Sequence, residues 1–215
     1  MKILVSDFDG TITRNDFYAL VAERHMRNPG TDYFAGYRAG RLTHFDAMAS
    51  YFAHTPTDEA SLAGLLRDTE PDPELGAAAA RLRAAGWELV IVSAGSSWYI
   101  ERILAACGVE ATVYSNPGRI EAGRGLVLER DRGARFYSEE AGVDKAAVVR
   151  DALARAEEVA FAGDGPPDVI PALLVRPAVR FARGYLAEEL RRRGEGFREY
   201  GRWSEVVDGL TGGAR

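Results

Sequence analysis

Short, mostly apolar runs alternate with helical patterns along most of this chain. The runs cover residues 2–6, 87–92, 111–115, 159–162 and 179–181, and such runs are typical of strands buried on both faces of a sheet. Apolar residues recur at helical spacing over residues 73–85, 97–107, 144–156, 185–193 and 203–210. Buried strands separated by helices predict an α/β fold with a parallel sheet and helices on both faces.

Residues 15–71 interrupt this alternation. Their pattern predicts only helices, over residues 15–27, 44–53 and 58–68, and the breaker Pro71-Asp72-Pro73 follows them. We therefore predict a core domain of residues 1–14 and 72–215, with a small helical domain of residues 15–71 inserted into it. The alternative is an N-terminal subdomain whose helices pack directly on the core.

A segment between two of the predicted helices has a different pattern. Residues 119–138 contain glycine together with alternating apolar residues, which predicts a hairpin.

Composition and charge narrow the functional classes. A hydrophobic content of 47% and a charged content of 27% are ordinary for a globular protein. The net charge of −5 argues against a nucleic-acid partner bound through a broad basic face. No apolar run approaches the ~18 residues of a membrane span, and the N-terminal apolar run is too short for a signal peptide. The single Cys107 cannot form an internal disulfide, so we expect a cytoplasmic protein; the oligomeric state stays open.

The segment Asp7-Phe8-Asp9-Gly10-Thr11 directly follows the first predicted strand. A carboxylate can attack phosphorus as a covalent nucleophile, and a second carboxylate beside it can move protons. Gly10 allows a ligand to approach the backbone closely. The alternative is an acidic turn that caps a helix.

Three further polar clusters lie at the ends of predicted strands or at the start of a predicted helix. They are Ser93-Ala94-Gly95-Ser96-Ser97, the segment from Gly163 to Asp168 with its two carboxylates, and Lys145, one of only two lysines in the chain. Ligands of open α/β sheets bind beyond the carboxyl ends of the strands, so these clusters are expected to meet. Taken singly, each has a plain alternative: a serine N-cap, a Gly-Asp-Gly turn or a solvated lysine.

The order of these clusters resembles the haloacid dehalogenase superfamily of phosphatases. Its four motifs match Asp7-Phe8-Asp9-Gly10-Thr11, Ser93, Lys145 and the segment from Gly163 to Asp168. The resemblance implies a HAD-like Rossmannoid core and a small helical C1 cap formed by the insert, as in the phosphoserine-phosphatase-like branch (subfamily IB).

The same resemblance implies a mechanism. Asp7 is the expected nucleophile and Asp9 the general acid/base, while Gly10, Ser93, Ala94, Gly95 and Lys145 bind phosphate. Mg²⁺ is the expected cofactor, held by the Asp7 and Asp164 side chains and the Asp9 carbonyl, with Asp168 as outer support. Oxygen ligands suit Mg²⁺ better than zinc, and the three histidines all fall within the insert.

Substrate choice is expected to come from the cap. Members of the phosphoserine branch place a glutamate nine residues after the nucleophile to read the substrate amine, and here Asp16 holds that place. Other candidates for specificity are Tyr37, Arg38, Arg41 and Phe45; their alternative is surface charge or cap core.

Two other stretches of sequence bear on the substrate. Residues 13–16 and 181–186 are most similar to the methionine-salvage phosphatase that acts on 2-hydroxy-3-keto-5-methylthiopentenyl 1-phosphate, and residues 181–186 also resemble phosphocholine and phosphoethanolamine phosphatases. A small phosphorylated metabolite is the expected partner. A phosphotransferase and a non-catalytic phospho-ligand sensor remain open as alternatives.

Overall fold

The computed structural model describes residues 1–28 and 30–212 of the chain. The strands of the described residues are β1 Lys2–Ser6, β2 Trp87–Ser96, β3 Thr112–Asn116, β4 Gly118–Glu121, β5 Gly125–Leu128, β6 Tyr137–Ser138, β7 Gly142–Val143, β8 Glu158–Gly163, β9 Arg180–Ala182 and β10 Arg198–Glu199. The α-helices are α1 Phe17–His25, α2 Tyr33–Arg38, α3 His44–Phe52, α4 Glu59–Asp68, α5 Leu75–Ala84, α6 Ser97–Ala106, α7 Lys145–Arg155, α8 Val169–Leu174, α9 Gly184–Arg192 and α10 Trp203–Thr211. Single 3₁₀ turns cover Pro166–Asp168 and Pro177–Val179.

Six strands form one parallel sheet in the order β10-β9-β8-β1-β2-β3. Ile3, Leu4 and Val5 of the central strand β1 are completely buried. Successive side chains of a strand point to opposite faces, so both faces of the sheet are covered. The predicted α/β fold with a parallel sheet and helices on both faces is therefore confirmed.

The register of the sheet brings the carboxyl ends of its central strands level. Ser6 at the end of β1 pairs with Ile91 of β2 on one side and with Ala162 of β8 on the other. The pairing with β8 continues one residue further, because the Asp7 amide donates to the Ala162 carbonyl at 2.9 Å. The residues that follow β1 and β8 therefore start side by side.

Helices α1–α4 account for the regular structure between Phe17 and Asp68. Thr13 and Pro71 form a β-bridge, so the chain leaves and re-enters the rest of the molecule at one point. α2 lies in a segment for which the sequence predicted no element. It is a short helix whose N-cap, Asp32, accepts a hydrogen bond from the Ala35 amide at 3.1 Å.

Two predicted boundaries were wrong. The strand predicted over residues 87–92 continues to Ser96, so Ser93, Ala94 and Gly95 lie within β2 rather than in a loop after it. The hairpin predicted over residues 119–138 is shorter: β4 and β5 pair over residues 118–128, and residues 137–138 pair instead with residues 142–143. The backbone turns away between the two hairpins, where the Ala134 amide bonds to the Asp131 carbonyl.

None of the helices described combines the length and the apolar character that crossing a membrane requires.

Candidate active site

Three carboxylates meet at the carboxyl edge of the sheet. Oxygens of Asp7, Asp164 and Asp168 lie within 4.8 Å of one another. Asp7 directly follows β1, Asp164 directly follows β8, and Asp168 ends the 3₁₀ turn before α8. The shared register of β1 and β8 produces this convergence, although the residues are far apart in sequence.

Lys145 joins two of these carboxylates. Its Nζ donates to Asp7 Oδ1 and to Asp168 Oδ1, each at 2.7 Å. Lys145 is the first residue of α7, where its N-cap Asp144 accepts a hydrogen bond from the Ala147 amide. The lysine is almost completely buried, and these two bonds leave its third N–H without a protein partner among the described residues.

Asp168 is fully committed to internal contacts. Its Oδ2 accepts hydrogen bonds from the Asp164 amide at 3.1 Å and from the Gly165 amide at 3.0 Å. Its Oδ1 accepts from Lys145, and the residue has no exposed surface. Asp168 therefore fixes the turn that presents Asp164, and it has less oxygen capacity to offer a ligand than Asp7 or Asp164.

Thr11 and Gly10 bring the loop after β1 against Asp164. The Thr11 hydroxyl lies 3.1 Å from Asp164 Oδ1 and 3.4 Å from Asp7 Oδ2. Gly10 has a φ of +68°, and a β-carbon there would overlap the Asp164 carboxylate. Only glycine satisfies both the backbone conformation and the close approach at this position.

The cluster carries more negative charge than its own cation balances. Burial and Asp168 raise the pKa of Asp7, and Lys145 offsets this only in part. Burial and Asp168 also raise the pKa of Asp164, to about 6. Burial acts to lower the pKa of Lys145, but Asp168 and Asp7 outweigh it and raise that pKa. A divalent cation among the carboxylates would favour their ionised forms.

Asp9 faces a different set of partners. Its Oδ1 accepts a hydrogen bond from the Phe17 amide at 3.0 Å, and its Oδ2 accepts one from the Tyr99 hydroxyl. Burial raises the pKa of Asp9 although both hydrogen bonds act to lower it. Burial and the nearby Asp9 raise the pKa of Tyr99, so its hydroxyl keeps its proton and donates.

Ser93, Ala94 and Gly95 are buried in the last third of β2. The register between β2 and β3 shifts between Val92 and Ser96, so this stretch does not follow the regular strand pairing. The Gly95 amide donates to Ser93 Oγ at 3.0 Å, and Asn116 Nδ2 donates to the Ala94 carbonyl at 2.8 Å. This stretch is thus held by side chains as well as by strand pairing.

Asp16 lies beside the carboxylate cluster. It is the N-cap residue of α1 and lines a cavity of about 310 Å³ together with Gly10, Asp164, Glu23 and Arg183. Burial, Asp9 and Asp164 raise the pKa of Asp16 to about 7. The cavity contains both signs of charge and adjoins the Asp164 carboxylate.

The other specificity candidates lie further along the helical segment. Phe45 is buried in the core, with the guanidinium of Arg130 4.1 Å from its ring centroid. Arg38 is exposed and pairs with Asp32, and Arg41 is exposed. Tyr37, Arg38 and Arg41 make no hydrogen bond to Asp7, Asp9 or Asp164 among the described residues, so their role in recognition stays a prediction.

Sequence reasoning missed four residues of this region: Tyr99, Asn116, Arg183 and His44. Tyr99 falls in an apolar helical pattern, which hides the polar role of its hydroxyl. The ring of His44 packs 5.5 Å from that of Tyr37, and its buried Nδ1 has no hydrogen-bond partner among the described residues. Burial, with a smaller contribution from Lys145, lowers the pKa of His44 to about 4. No spacing rule would have found these residues, because their partners lie in other elements.

Sequence comparison assigns the family. The model of the haloacid dehalogenase-like hydrolase family matches residues 4–173. This match covers well over half of the chain, so the chain belongs to the haloacid dehalogenase-like hydrolases. No curated protein sequence gives a significant match.

Comparison of folds gives related structures at low identity. A substrate-bound phosphoserine phosphatase has a TM-score of 0.67 at 15% identity, over 96% of this chain and 97% of the other. A HAD-family hydrolase from Salmonella enterica subsp. enterica serovar Typhi has a TM-score of 0.71 at 16% identity, over 98% and 70%. The phosphoserine phosphatase from T. onnurineus has a TM-score of 0.62 at 17% identity, over 98% and 94%. At these identities the similarity is one of fold.

Proposed function

We propose that this haloacid dehalogenase-like hydrolase is a Mg²⁺-dependent phosphatase that hydrolyses a small-molecule phosphomonoester through an aspartyl-phosphate at Asp7. One observation supports this function above all: Asp7, Asp164 and Lys145 converge at the carboxyl edge of the sheet, where Asp7 and Lys145 are buried. A nucleophilic carboxylate, an oxygen ligand for a cation and a phosphate-binding cation are the groups that phosphoryl transfer requires.

Asp7 and Asp164, with the Asp9 carbonyl, would hold the cation. The two side chains fit this task because they offer hard oxygen donors, and because burial and Asp168 raise both of their pKa values, an effect that a cation between them would oppose. When bound, Mg²⁺ supplies charge neutralisation for the approach of an anionic phosphate to the carboxylates. Asp168 supports this site indirectly, because its oxygens hold Lys145 and the backbone at Asp164 and Gly165.

In the first step, an Asp7 oxygen forms a bond to phosphorus as the bond from phosphorus to the substrate oxygen breaks. Asp9 gives its proton to that leaving oxygen. Lys145, Ser93, Gly10, Ala94 and Gly95 are the proposed phosphate-binding residues, and the Gly95 amide would exchange its bond to Ser93 Oγ for one to a phosphoryl oxygen as charge spreads over the phosphoryl group. Burial, which raises the pKa of Asp9, favours the protonated acid that this step needs.

In the second step, water attacks the phosphorus of the aspartyl-phosphate. Asp9, now ionised, accepts a proton from that water, and the bond between phosphorus and the Asp7 oxygen breaks. Phosphate leaves and Asp7 is regenerated, so each turnover consumes one ester and one water. The same residue thus serves as acid and then as base.

Helices α1–α4, within residues 15–71, are proposed to act as the cap that selects the leaving group. Asp16 and Arg183 line the cavity beside Asp164, so they are the foremost candidates for reading polar groups of the substrate. Tyr37, Arg38, Arg41 and Phe45 are secondary candidates on the same cap.

The methionine-salvage enol-phosphate is our leading substrate, on the similarity of residues 13–16 and 181–186 to that phosphatase. Phosphoserine, phosphocholine and phosphoethanolamine are the alternatives, since a carboxylate at Asp16 suits a cationic group. The single Cys107 fits a reducing cytoplasmic compartment for this metabolite. Initial rates on a panel of these four esters rank the candidates by kcat/KM.

The decisive test is phosphate release from p-nitrophenyl phosphate. We expect turnover with Mg²⁺, little with a chelator, and none from Asp7→Asn. Asp208→Asn is the matched control, because it removes one carboxylate charge at a surface pair with Arg81. Near-normal rates in Asp7→Asn would refute the assignment of Asp7 as the nucleophile. Binding of the ester without any turnover would favour a phospho-ligand sensor. Transfer of the phosphoryl group to an added alcohol, with less free phosphate released, would favour a phosphotransferase.

A further inference from the structure

Tyr99 is the only tyrosine described whose hydroxyl donates to Asp9, and nothing in the proposed mechanism uses it. The Tyr99 hydroxyl bonds to Asp9 Oδ2, while the Phe17 amide bonds to Asp9 Oδ1 at 3.0 Å. The two oxygens of the carboxyl group are thus held by donors from two different helices, α6 and α1. A carboxyl group with a hydrogen bond at each oxygen cannot rotate freely about its Cβ–Cγ bond.

The ring of Tyr99 is itself held in place. It is completely buried and stacks on Phe17, with ring centroids 4.4 Å apart and an interplanar angle of 7°. Phe52 and Phe8 pack against it at centroid distances of 6.0 and 6.3 Å. Three aromatic neighbours therefore determine where the hydroxyl points, and that hydroxyl has little freedom to leave Asp9.

Gly95 keeps the space that this contact needs. A β-carbon at Gly95 would overlap the Tyr99 hydroxyl and lie 3.0 Å from Asp9 Oδ2. The absence of a side chain at this point of β2 thus permits the bond between Tyr99 and Asp9. Among the other nearby groups, Lys145 and Ser93 act to lower the pKa of Asp9, and Asp9 acts to raise the pKa of Asp16.

We propose that Tyr99 is a positioning residue for the proposed mechanism: its hydroxyl holds the Asp9 carboxyl group in the orientation that delivers a proton to the leaving oxygen. This inference rests on the proposed phosphatase function. Tyr99 acts through Asp9 and touches neither phosphorus nor the cation. Its loss should therefore matter most where the leaving oxygen most needs a proton.

The test compares two esters of similar shape. Phenoxide is a strong base and needs protonation as it leaves, whereas p-nitrophenoxide is a weak base and leaves without it. For Tyr99→Phe, which keeps the aromatic stack, kcat/KM for phenyl phosphate should fall by about tenfold or more, and for p-nitrophenyl phosphate by less than about threefold. Inhibition by orthovanadate should stay unchanged, because the hydroxyl does not contact the phosphoryl group.

Tyr51→Phe is the matched control. Tyr51 is also buried, and its hydroxyl donates to Asp32 at 3.2 Å, away from Asp9. It should lower both ester activities equally or not at all. A second comparison places Tyr99→Phe in an Asp9→Asn background, where it should cause no further loss for phenyl phosphate because the two residues act as one unit.

Equal losses for the two esters in Tyr99→Phe, no loss for either, or full additivity with Asp9→Asn would each overturn the inference while leaving the phosphatase function intact. A wild-type chain without Mg²⁺-dependent phosphate release would overturn the proposed function, and this inference with it.

Discussion

Asp7 and Asp9 lie two residues apart, but one accepts a hydrogen bond from a charged donor and the other only from neutral donors. Asp7 receives a hydrogen bond from a lysine, while Asp9 receives neutral hydrogen bonds from Tyr99 and from a backbone amide. Burial raises the pKa of both carboxyl groups, and Lys145 acts to lower the pKa of each, but only Asp7 accepts a hydrogen bond from the lysine itself. The two aspartates therefore differ in their hydrogen-bond donors although they are the same residue type, which supports the proposal that they have different roles.

The sequence predicts the location of a site residue when the pattern of its neighbours shows which strand or helix it follows or begins. Asp7, Asp9, Asp164 and Lys145 follow or begin elements that the pattern indicates, so their location could be inferred. Tyr99 could not be inferred, because its helical apolar pattern predicts a core residue. Its ring is indeed core, and only the position of its hydroxyl beside Asp9 adds the polar role.

Gly10→Ala tests the close approach of the loop to Asp164. The added β-carbon overlaps the Asp164 carboxylate, and the positive φ adds strain of about 1 kcal/mol. We expect kcat/KM for p-nitrophenyl phosphate to fall by at least about tenfold, and the Mg²⁺ concentration for half-maximal rate to rise, as carboxylate oxygens are displaced.

Gly40→Ala is the matched control for this substitution. Gly40 has a nearly identical φ of +66°, but a β-carbon there would meet no atom within 4 Å. It should lose stability through backbone strain alone and keep its Mg²⁺ dependence. If the two variants need the same Mg²⁺ concentration for half-maximal rate, crowding of the Asp164 carboxylate does not affect Mg²⁺ binding.

At the scale of elements, β2 shows where pattern-based boundaries fail. Residues 93–96 are small or polar, so their sequence predicts the end of a strand. In the structure β2 reaches Ser96, where it pairs with Asn116 of β3, and the Asn116 side chain also donates to the Ala94 carbonyl at 2.8 Å. That contact lies 22 positions away in sequence, beyond the reach of local periodicity.

The segment between β5 and β6 docks onto α3 through Arg130. The arginine donates to Asp46 Oδ1 at 2.8 Å and to the helix N-cap Thr43 at 3.1 Å, and it covers the ring of Phe45. These contacts join an element of the predicted core to a helix of the predicted cap. The arginine also contributes to the burial of Phe45.

Arg130→Ala should therefore lower the free energy of unfolding by about 1–2 kcal/mol, through loss of the ion pair with Asp46, the hydrogen bond to Thr43 and the cation–π contact with Phe45. Arg130→Lys should retain only part of this stability, since the compact ammonium group of lysine cannot make all three contacts at once. Urea denaturation measures both.

Arg132→Ala controls for the loss of an arginine from the same segment. Arg132 is exposed and pairs with Glu139 at 3.1 Å, so its removal should cost less than about 0.5 kcal/mol. Equal costs for the Arg130 and Arg132 variants would show that the docking contacts contribute nothing specific.

At the scale of the whole molecule, the site joins parts of the chain that are far apart in sequence. Asp7 follows the first strand, Lys145 starts α7, and Asp164 and Asp168 follow β8. Only folding gathers these charges, and their mutual repulsion opposes it. A bound divalent cation should therefore stabilise the entire fold, because the unfolded chain has no comparable site.

Thermal unfolding measures this linkage. Mg²⁺ at about 100 times its dissociation constant should add about 2.7 kcal/mol, or a rise in Tm of about 5 °C or more. Asp164→Asn should lose most of that rise. Asp208→Asn, which removes one charge at the surface pair with Arg81, should keep it. An unchanged rise in Asp164→Asn would remove Asp164 from the set of metal ligands.

The sequence by itself determined the parallel α/β fold and the places of Asp7 and Asp164 directly after two of its strands, but not the end of β2. Apolar runs and helical periodicity are local properties, so they can be read without coordinates. Only the tertiary structure decided the partners: Lys145 between Asp7 and Asp168, Tyr99 on Asp9, and Arg130 on α3. Those contacts depend on which elements become neighbours in space, and the strand register and packing that decide this are properties of the folded chain as a whole.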